Sequence, residues 1–316
     1  MKVPILISRT AVSLGIVALF ATSILRADSH LIVVSGFQTP ESVVHDPIAD
    51  LYLVSNVGPG NPGALDHNGF ISRVSPEGVI LQLKWIQDGV NGATLNGPKG
   101  IWLYGNALHV ADVDTLRIFD RLTGMPLQNI GISNPFAPSA LFLNDVVVTD
   151  HGTAYVTDNR NSAIFMVEPD GHASLLASGL QLGSPNGIVA HGANISWVTF
   201  SRNEVLRTNP SGQIFTEATL PAVDVSQLGL VPGTLRLDGY VRMLDGSLLV
   251  TSWLTGKVVR ISPSSKEVET VAQFVSVLAN PASPHGPADI NVDQQRNRLL
   301  IPLFGANQLV IMPIQD

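Results

Sequence analysis

Residues 237–253, LDGYVRMLDGSLLVTSW, carry an acidic residue before a glycine (Asp238-Gly239), a short apolar run, a turn pair (Asp245-Gly246) and a second alternating run from Ser247. Alternation broken by an Asp-Gly pair predicts a strand, a hairpin turn and a second strand. Asp238 falls at the start of the first strand, where an aliphatic residue would be the ordinary choice.

Five other stretches share this plan: PESVVHDPIADLYLVSN from Pro40, PKGIWLYGNALHVAD from Pro98, LNDVVVTDHGTAYVTD from Leu143, PNGIVAHGANISWVTF from Pro185 and PADINVDQQRNRLLIPLF from Pro287. Aligned on the first strand, the anchors are Glu41, Lys99, Asn144, Asn186, Asp238 and Ala288. They recur roughly 40 to 60 residues apart, near the range of β-propeller blades of about 40–50 residues and four strands. Further strands follow the hairpin in the first five copies, with Glu77-Gly78, Asp170-Gly171 and Ser211-Gly212 as turns in the same relative place. The sixth copy has no such tail. The unassigned run Leu31 to Gly36 is therefore expected to pair with the C-terminal strands and close the ring, removing two open sheet edges. The fold expected is an all-β, six-bladed β-propeller over residues 28–316, with the last blade completed by an N-terminal strand.

Bulk composition agrees. Charged residues make up 14% of the 316, against about 25% in an average soluble domain, and 28 glycines and 21 prolines supply turns. The formal charge of -7, with no basic block, argues against nucleic acid as a partner. Cysteine is absent, which excludes disulfides and thiolate metal sites. Lys2 and Arg9 precede an apolar run, Ala11 to Leu25. This is the pattern of a secretory signal over residues 1–27, cut after Ser23 or Ala27. An uncleaved anchor is the alternative, although the run is short for a membrane span of about 20 residues. The expectation is an exported protein, periplasmic or secreted, with no membrane contact after cleavage. Its oligomeric state is not readable.

In a propeller the first strand of each blade lines the axis, so the anchors converge although they are far apart in sequence. Four of them, Glu41, Asn144, Asn186 and Asp238, are oxygen donors. Two carboxylates and two amide carbonyls suit an oxygen-preferring dication, Ca²⁺ above all, and leave positions for water and substrate. The competing view is that Asn and Asp before Gly merely close turns. That view suffices for one such pair, but not for four donors at equivalent positions in four blades. Lys99 either points into the same mouth, to hold an anionic group of a small-molecule substrate, or snorkels out of the ring.

At these residues the chain resembles the senescence marker protein (regucalcin)/gluconolactonase family of six-bladed propellers, and PKGIWLYGNALHVADVDTLRIFD in blade two also resembles an NHL repeat. The resemblance implies a metal held by Glu41, Asn186 and Asp238. It places Asn144, followed by Asp, beside both metal and substrate, as a further ligand and a catalytic residue, and makes Asp238 the proton acceptor. The chain departs from the family pattern at two places. Glu41-Ser42-Val43 stands where the family has Glu-Gly-Pro. Phe142 stands where some members carry an Arg that contacts sugar acids. The metal set thus carries over better than the substrate, and a more apolar lactone or ester is the alternative to a sugar lactone, with Phe142 facing it.

The function expected is metal-dependent hydrolysis of a lactone or related ester. The metal would stabilise the developing oxyanion, with Asp238 taking the proton of the attacking water; if Asp238 is also a ligand, the cation makes it a weak base and a metal-bound hydroxide is the competing nucleophile. An NHL-type binding module, with a structural metal or none, is one rival. A propeller lyase or other enzyme using His285 is another: His285 lies just before the inner strand of blade six, and is either a substrate-binding acid or base near the mouth or a solvated turn residue. His109 and His151 read as structural, and Asp112 and Asp158 as closing blade turns. No nucleophile-elbow pattern surrounds Ser162 or Ser201.

Overall fold

The computed structural model describes residues 30–192, 194–209, 211–222, 235–275 and 286–314. The segment read as a secretory signal, residues 1–27, and His285 lie outside the described residues. Among the described residues, no helix is long and apolar enough to cross a membrane.

Six four-stranded antiparallel sheets form the six blades of a β-propeller. The inner strands are Pro40–Asp46, Pro98–Tyr104, Leu143–Val148, Pro185–His191 and Leu237–Arg242, with the shorter Asn291–Asp293 in blade six. Each of the first five pairs with the next strand through a hairpin, as in the Leu237↔Ser252 and Arg242↔Leu248 register of blade five. The turn there behaves as its residues dictate. Gly246 has φ 82, and the Asp245 carboxylate accepts the Ser247 backbone N–H at 2.9 Å. Gly78, Gly171 and Gly212 also sit at positive φ, where a side chain would be strained.

Ring closure follows the sequence expectation. Ile32–Ser35 pairs antiparallel with the C-terminal strand Gln308–Pro313, with Ile32 opposite Ile311 and Val34 opposite Leu309. Ile32–Ser35 and Gln308–Pro313 thus share one blade, with Ile32–Ser35 as its outermost strand.

Among the described residues the apolar core is divided between the blades. Each of the six apolar clusters sits between two adjacent blades. Val44, Leu53 and Ile71 of blade one pack with Leu95, Leu108 and Phe119 of blade two. Val34, Leu309 and Ile311 of blade six pack with Val43, Tyr52 and Val54 of blade one. The same arrangement repeats around the ring. Apolar burial, the main favourable term in folding, therefore holds blade against blade and leaves the axis to polar groups.

Candidate functional site at the channel mouth

The first five inner strands open on an irregularity that repeats from blade to blade, and in blade six an isolated bridge, Pro287 to Leu303, stands in the equivalent place. The pairing register shifts between Pro40 and Val43, Pro98 and Ile101, Leu143 and Val146, Pro185 and Ile188, and Leu237 and Tyr240. The two residues inside each shift leave the ladder, as in a β-bulge, and come to the axis. The approach to the strand is fixed from behind by the end of the second strand. Asp112 accepts the backbone N–H of Asn96 (3.0 Å) and Gly97 (2.8 Å), and Asp158 accepts that of Phe142 (3.2 Å). Ser252 donates to the Leu235 carbonyl at 2.8 Å. Asp112 and Asp158 are thus the turn-closing residues that the sequence suggests.

The first residue of each irregularity forms an upper ring: Glu41, Lys99, Asn144, Asn186, Asp238 and Ala288, all buried. The second forms a lower ring: Ser42, Gly100, Asp145, Gly187, Gly239 and Asp289. Here small residues and carboxylates share the space. A Cβ on Gly100 would lie 2.1 Å from Asp145 Oδ1 and 2.5 Å from its Cα, and one on Gly239 would lie 2.5 Å from Asp289 Cα. The glycines let the neighbouring aspartates approach the axis.

A cavity of about 190 Å³ opens above the upper ring and is bounded by Glu41, Lys99, Asn144, Asn186 and Asp238. The four oxygen donors read from the sequence therefore meet in one place. Lys99 meets them there too and does not snorkel outward: it is only 2% exposed. Its Nζ donates to the Gly97 carbonyl at 2.9 Å and lies 4.4 Å from the Phe142 ring centroid. Phe142 itself lines the cavity, with Phe200, Trp253, Phe304, Pro62 and Asn159. A narrower gap continues below, between the two rings. A separate cavity of about 380 Å³ opens at the far end of the axis and shares Asp145 and Asp289 with that gap.

Four buried carboxylates crowd this axis. Desolvation raises Glu41 well above the usual carboxylate range, and Asp238, Asp289 and Asp145 push it further. Desolvation and then Asp289 push Asp238 up to about 8, against the Asn186 side chain, which favours its charge. Asp145 is raised by desolvation and by Asp289, although its oxygens accept the N–H groups of Val146 and Ile188, each at 2.7 Å. Asp289 is pushed up to about 6 by desolvation, held back by the Ser42 hydroxyl, which donates to it at 2.5 Å. Lys99 is the one cation of the upper ring, and desolvation pulls it down to about 8 in spite of Glu41.

Whether these residues fit a metal is decided by what they leave unmet. Glu41 Oε2 is buried and has no hydrogen-bond partner. Among the described residues, no three Asp, Glu, His or Cys side chains are grouped as a ligand set; the amides of Asn144 and Asn186 are needed to complete one. With them the cavity holds four hard oxygen donors, two of them carboxyl groups whose charge burial disfavours, and an orphaned carboxyl oxygen. That donor set fits a dication such as Ca²⁺.

Sequence reasoning found Phe142 but missed the lower-ring carboxylates and the rest of the aromatic wall. Both follow alignment columns. Asp145 and Asp289 stand in the column after the anchors. Asn159, Phe200, Trp253 and Phe304 each stand one residue past the end of a second strand. Reading those two columns across the blades would have found them.

No family model matches the chain, and no curated protein matches it. Solved structures do. Over 90% of this chain and 89% of its own, a gluconolactonase from Xanthomonas campestris superposes with a TM-score of 0.61 at 14% identity. A catalytically inactive His-to-Ala variant of virginiamycin B lyase from Staphylococcus aureus, solved with quinupristin, gives 0.55 at 14% identity, over 89% of this chain and 98% of that one. A streptogramin B lyase gives 0.59 at 12% identity, over 89% and 97%. At these identities the likeness is one of fold.

Proposed function

We propose that the chain is a divalent-metal-dependent hydrolase of a lactone or related ester, similar in plan to the regucalcin/gluconolactonase family. The observation that carries this reading is the convergence of Glu41, Asn144, Asn186 and Asp238, from four different blades, on one cavity in which Glu41 Oε2 is buried without a partner. The gluconolactonase among the solved structures of the same fold supports it. Glu41, Asn144, Asn186 and Asp238 would hold the ion, Ca²⁺ by the hardness of the donors. Bound there, a dication supplies Lewis acidity toward a carbonyl oxygen and offsets the repulsion among the carboxylates.

The chain's own groups supply the rest. Asn144 and Lys99 border the space where a carbonyl would lie, and Lys99 is placed to hold the carboxylate that ring opening releases. Asp238 is the proton acceptor for the attacking water. Its carboxyl is pushed up to about 8 in the metal-free site, and a neighbouring cation would lower it, ionising the group near neutral pH while leaving it able to accept a proton. The apolar wall keeps bulk water away from the reacting atoms.

Calcium titration by calorimetry, with hydrolysis of lactones and simple esters followed in the presence and absence of chelator, tests the reading. Metal binding with chelator-sensitive hydrolysis is the expected result. Metal binding without turnover favours an NHL-type binding module. Because lyases share the fold, product mass matters: hydrolysis adds one water and elimination adds none. Export belongs to the same proposal, and the N-terminus of protein recovered from its host tests the cut after Ser23 or Ala27.

A further inference from the structure

The upper cavity has a second character beside its ring of oxygens. Above the ring, among the described residues, its wall is Phe142, Phe200, Trp253, Phe304 and Pro62, with Asn159 and Lys99 as the polar groups. Each spends one donor on the backbone. Asn159 Nδ2 donates to the Ser184 carbonyl at 3.4 Å, and Lys99 Nζ donates to the Gly97 carbonyl. A polyhydroxylated ligand would bury hydroxyl groups against carbon, and each one left unpaired weakens binding by about tenfold or more.

Three of the four rings are held by cations of the protein itself. Phe142 is contacted by two cations, Lys99 Nζ at 4.4 Å and Arg160 Cζ at 4.7 Å from its centroid. The Arg236 guanidinium lies 5.5 Å from the centroids of both Phe200 and Trp253. Cation–π contacts of this kind restrain ring orientation, and a restrained surface costs a planar ligand less to bind than a mobile one. Three of the four rings come from one structural column, the residue after the second strand in blades four, five and six, so the wall follows from the register of the propeller. Among the described residues its volume is about 190 Å³, equal to roughly six waters at ~30 Å³ each and enough for one or two small rings.

We propose that this cavity takes a small lactone or ester bearing a planar apolar ring, such as a benzo-fused lactone or an aryl ester, and discriminates against sugar lactones. The inference rests on the hydrolase reading for the reaction, but on the wall alone for the class of ligand, so the two can fail separately.

The probes are 3,4-dihydro-2-quinolinone, a lactam that resists hydrolysis, for binding by calorimetry, and dihydrocoumarin and glucono-δ-lactone for turnover in the same calcium buffer. Phe142→Leu keeps an apolar side chain and removes the ring. The expected results are lactam binding to the parent, lactam affinity lowered about 3- to 10-fold in Phe142→Leu, and kcat/KM at least tenfold higher for dihydrocoumarin than for gluconolactone. The loss in Phe142→Leu should appear in KM more than in kcat, which a merely structural role would not produce. Circular dichroism and melting establish that the variant is folded. As a second variant, Trp253→Phe retains a ring and should retain lactam binding. Preference for gluconolactone overturns the inference and leaves the hydrolase reading standing. Lactam binding that depends on Phe142, with neither substrate turned over, overturns the hydrolase reading and supports the ligand class. Absence of lactam binding to the parent, or binding unchanged in folded Phe142→Leu, overturns the inference.

Discussion

Glu41 and Asp238, the second residues of the inner strands of blades one and five, border the same cavity, and after desolvation the Asp238 carboxylate is the largest influence that raises Glu41. A fold that places like charges together out of water must neutralise them, by protons or by a cation. The choice between the two can be measured.

Stability should fall with pH in the metal-free protein. The unfolded chain releases its Asp protons near pH 4, whereas folded Asp238 keeps its proton up to about 8 and Asp289 up to about 6. Between those limits the folded state binds more protons than the unfolded one, so unfolding free energy decreases as pH rises. The contribution of these groups is complete below pH 4 and lost as pH climbs through 6 and then 8. Calcium should reverse the trend. Its ligands must be ionised, so binding releases protons and tightens as pH rises. Free calcium at 100 times its dissociation constant adds about 2.7 kcal/mol, a rise of a few degrees in Tm. Melting curves from pH 5 to 9, with chelator and with calcium, check this. Two parallel profiles would contradict it.

How much of this was legible in the sequence depends on what each feature needs. The blades were legible because the Asp245-Gly246 type of turn and the alternation around it are local. Closure by Leu31 to Gly36 was legible because the sixth copy lacks its outer strand. Glu41, Asn144, Asn186 and Asp238 were legible because propeller symmetry brings equivalent positions together. The carboxylates of Asp145 and Asp289 were not singled out, because their role depends on Gly100 and Gly239 making room in neighbouring blades. Phe200, Trp253 and Phe304 look like ordinary strand-end residues until the ring is closed. Whether Lys99 faces inward depended on its tie to the Gly97 carbonyl and the Phe142 ring, which spacing does not encode.

Deleting Leu31 to Gly36 should cost much of the stability and promote aggregation. Val34 is 5% exposed and packs with Phe37, Leu309 and Ile311, while Ile32–Ser35 covers the outer edge of Gln308–Pro313. Removal uncovers that edge and opens the ring. Light scattering and urea melts check it, and a deletion protein that melts like the parent contradicts the closure.

Gly100→Ala should destabilise by about 3 kcal/mol or more, the upper range for overpacking against backbone. The added methyl would sit 2.5 Å from Asp145 Cα and 2.9 Å from the Asn144 carbonyl oxygen, so Asn144 must shift with it. Calcium affinity should fall along with stability. Gly131→Ala, where the methyl meets nothing within 4 Å, is the control and should stay within about 0.5 kcal/mol of the parent. Equal effects at the two sites would show that the lower ring has slack.

Asp238→Asn should move stability and activity in opposite directions. The amide keeps the shape and one oxygen donor, but removes a buried carboxyl whose ionised form is disfavoured by desolvation and by Asp289. In chelator at pH 8 to 9, where the parent must carry that charge, the variant should therefore melt higher than the parent. In calcium the order should narrow or reverse, because the ion gains less from three donors and a dipole than from the full set. Hydrolysis should fall by at least about 10²-fold even at saturating calcium, the usual scale for a lost general base. Three readings separate here. Loss of turnover with retained, weakened metal stabilisation supports Asp238 as both ligand and base. Metal stabilisation in a parent that turns over no lactone or ester leaves Asp238 as a ligand in a binding module. A parent and variant that melt alike with and without calcium, at every pH, would mean that Asp238 closes a turn and does nothing else, and the proposed metal site would go with it.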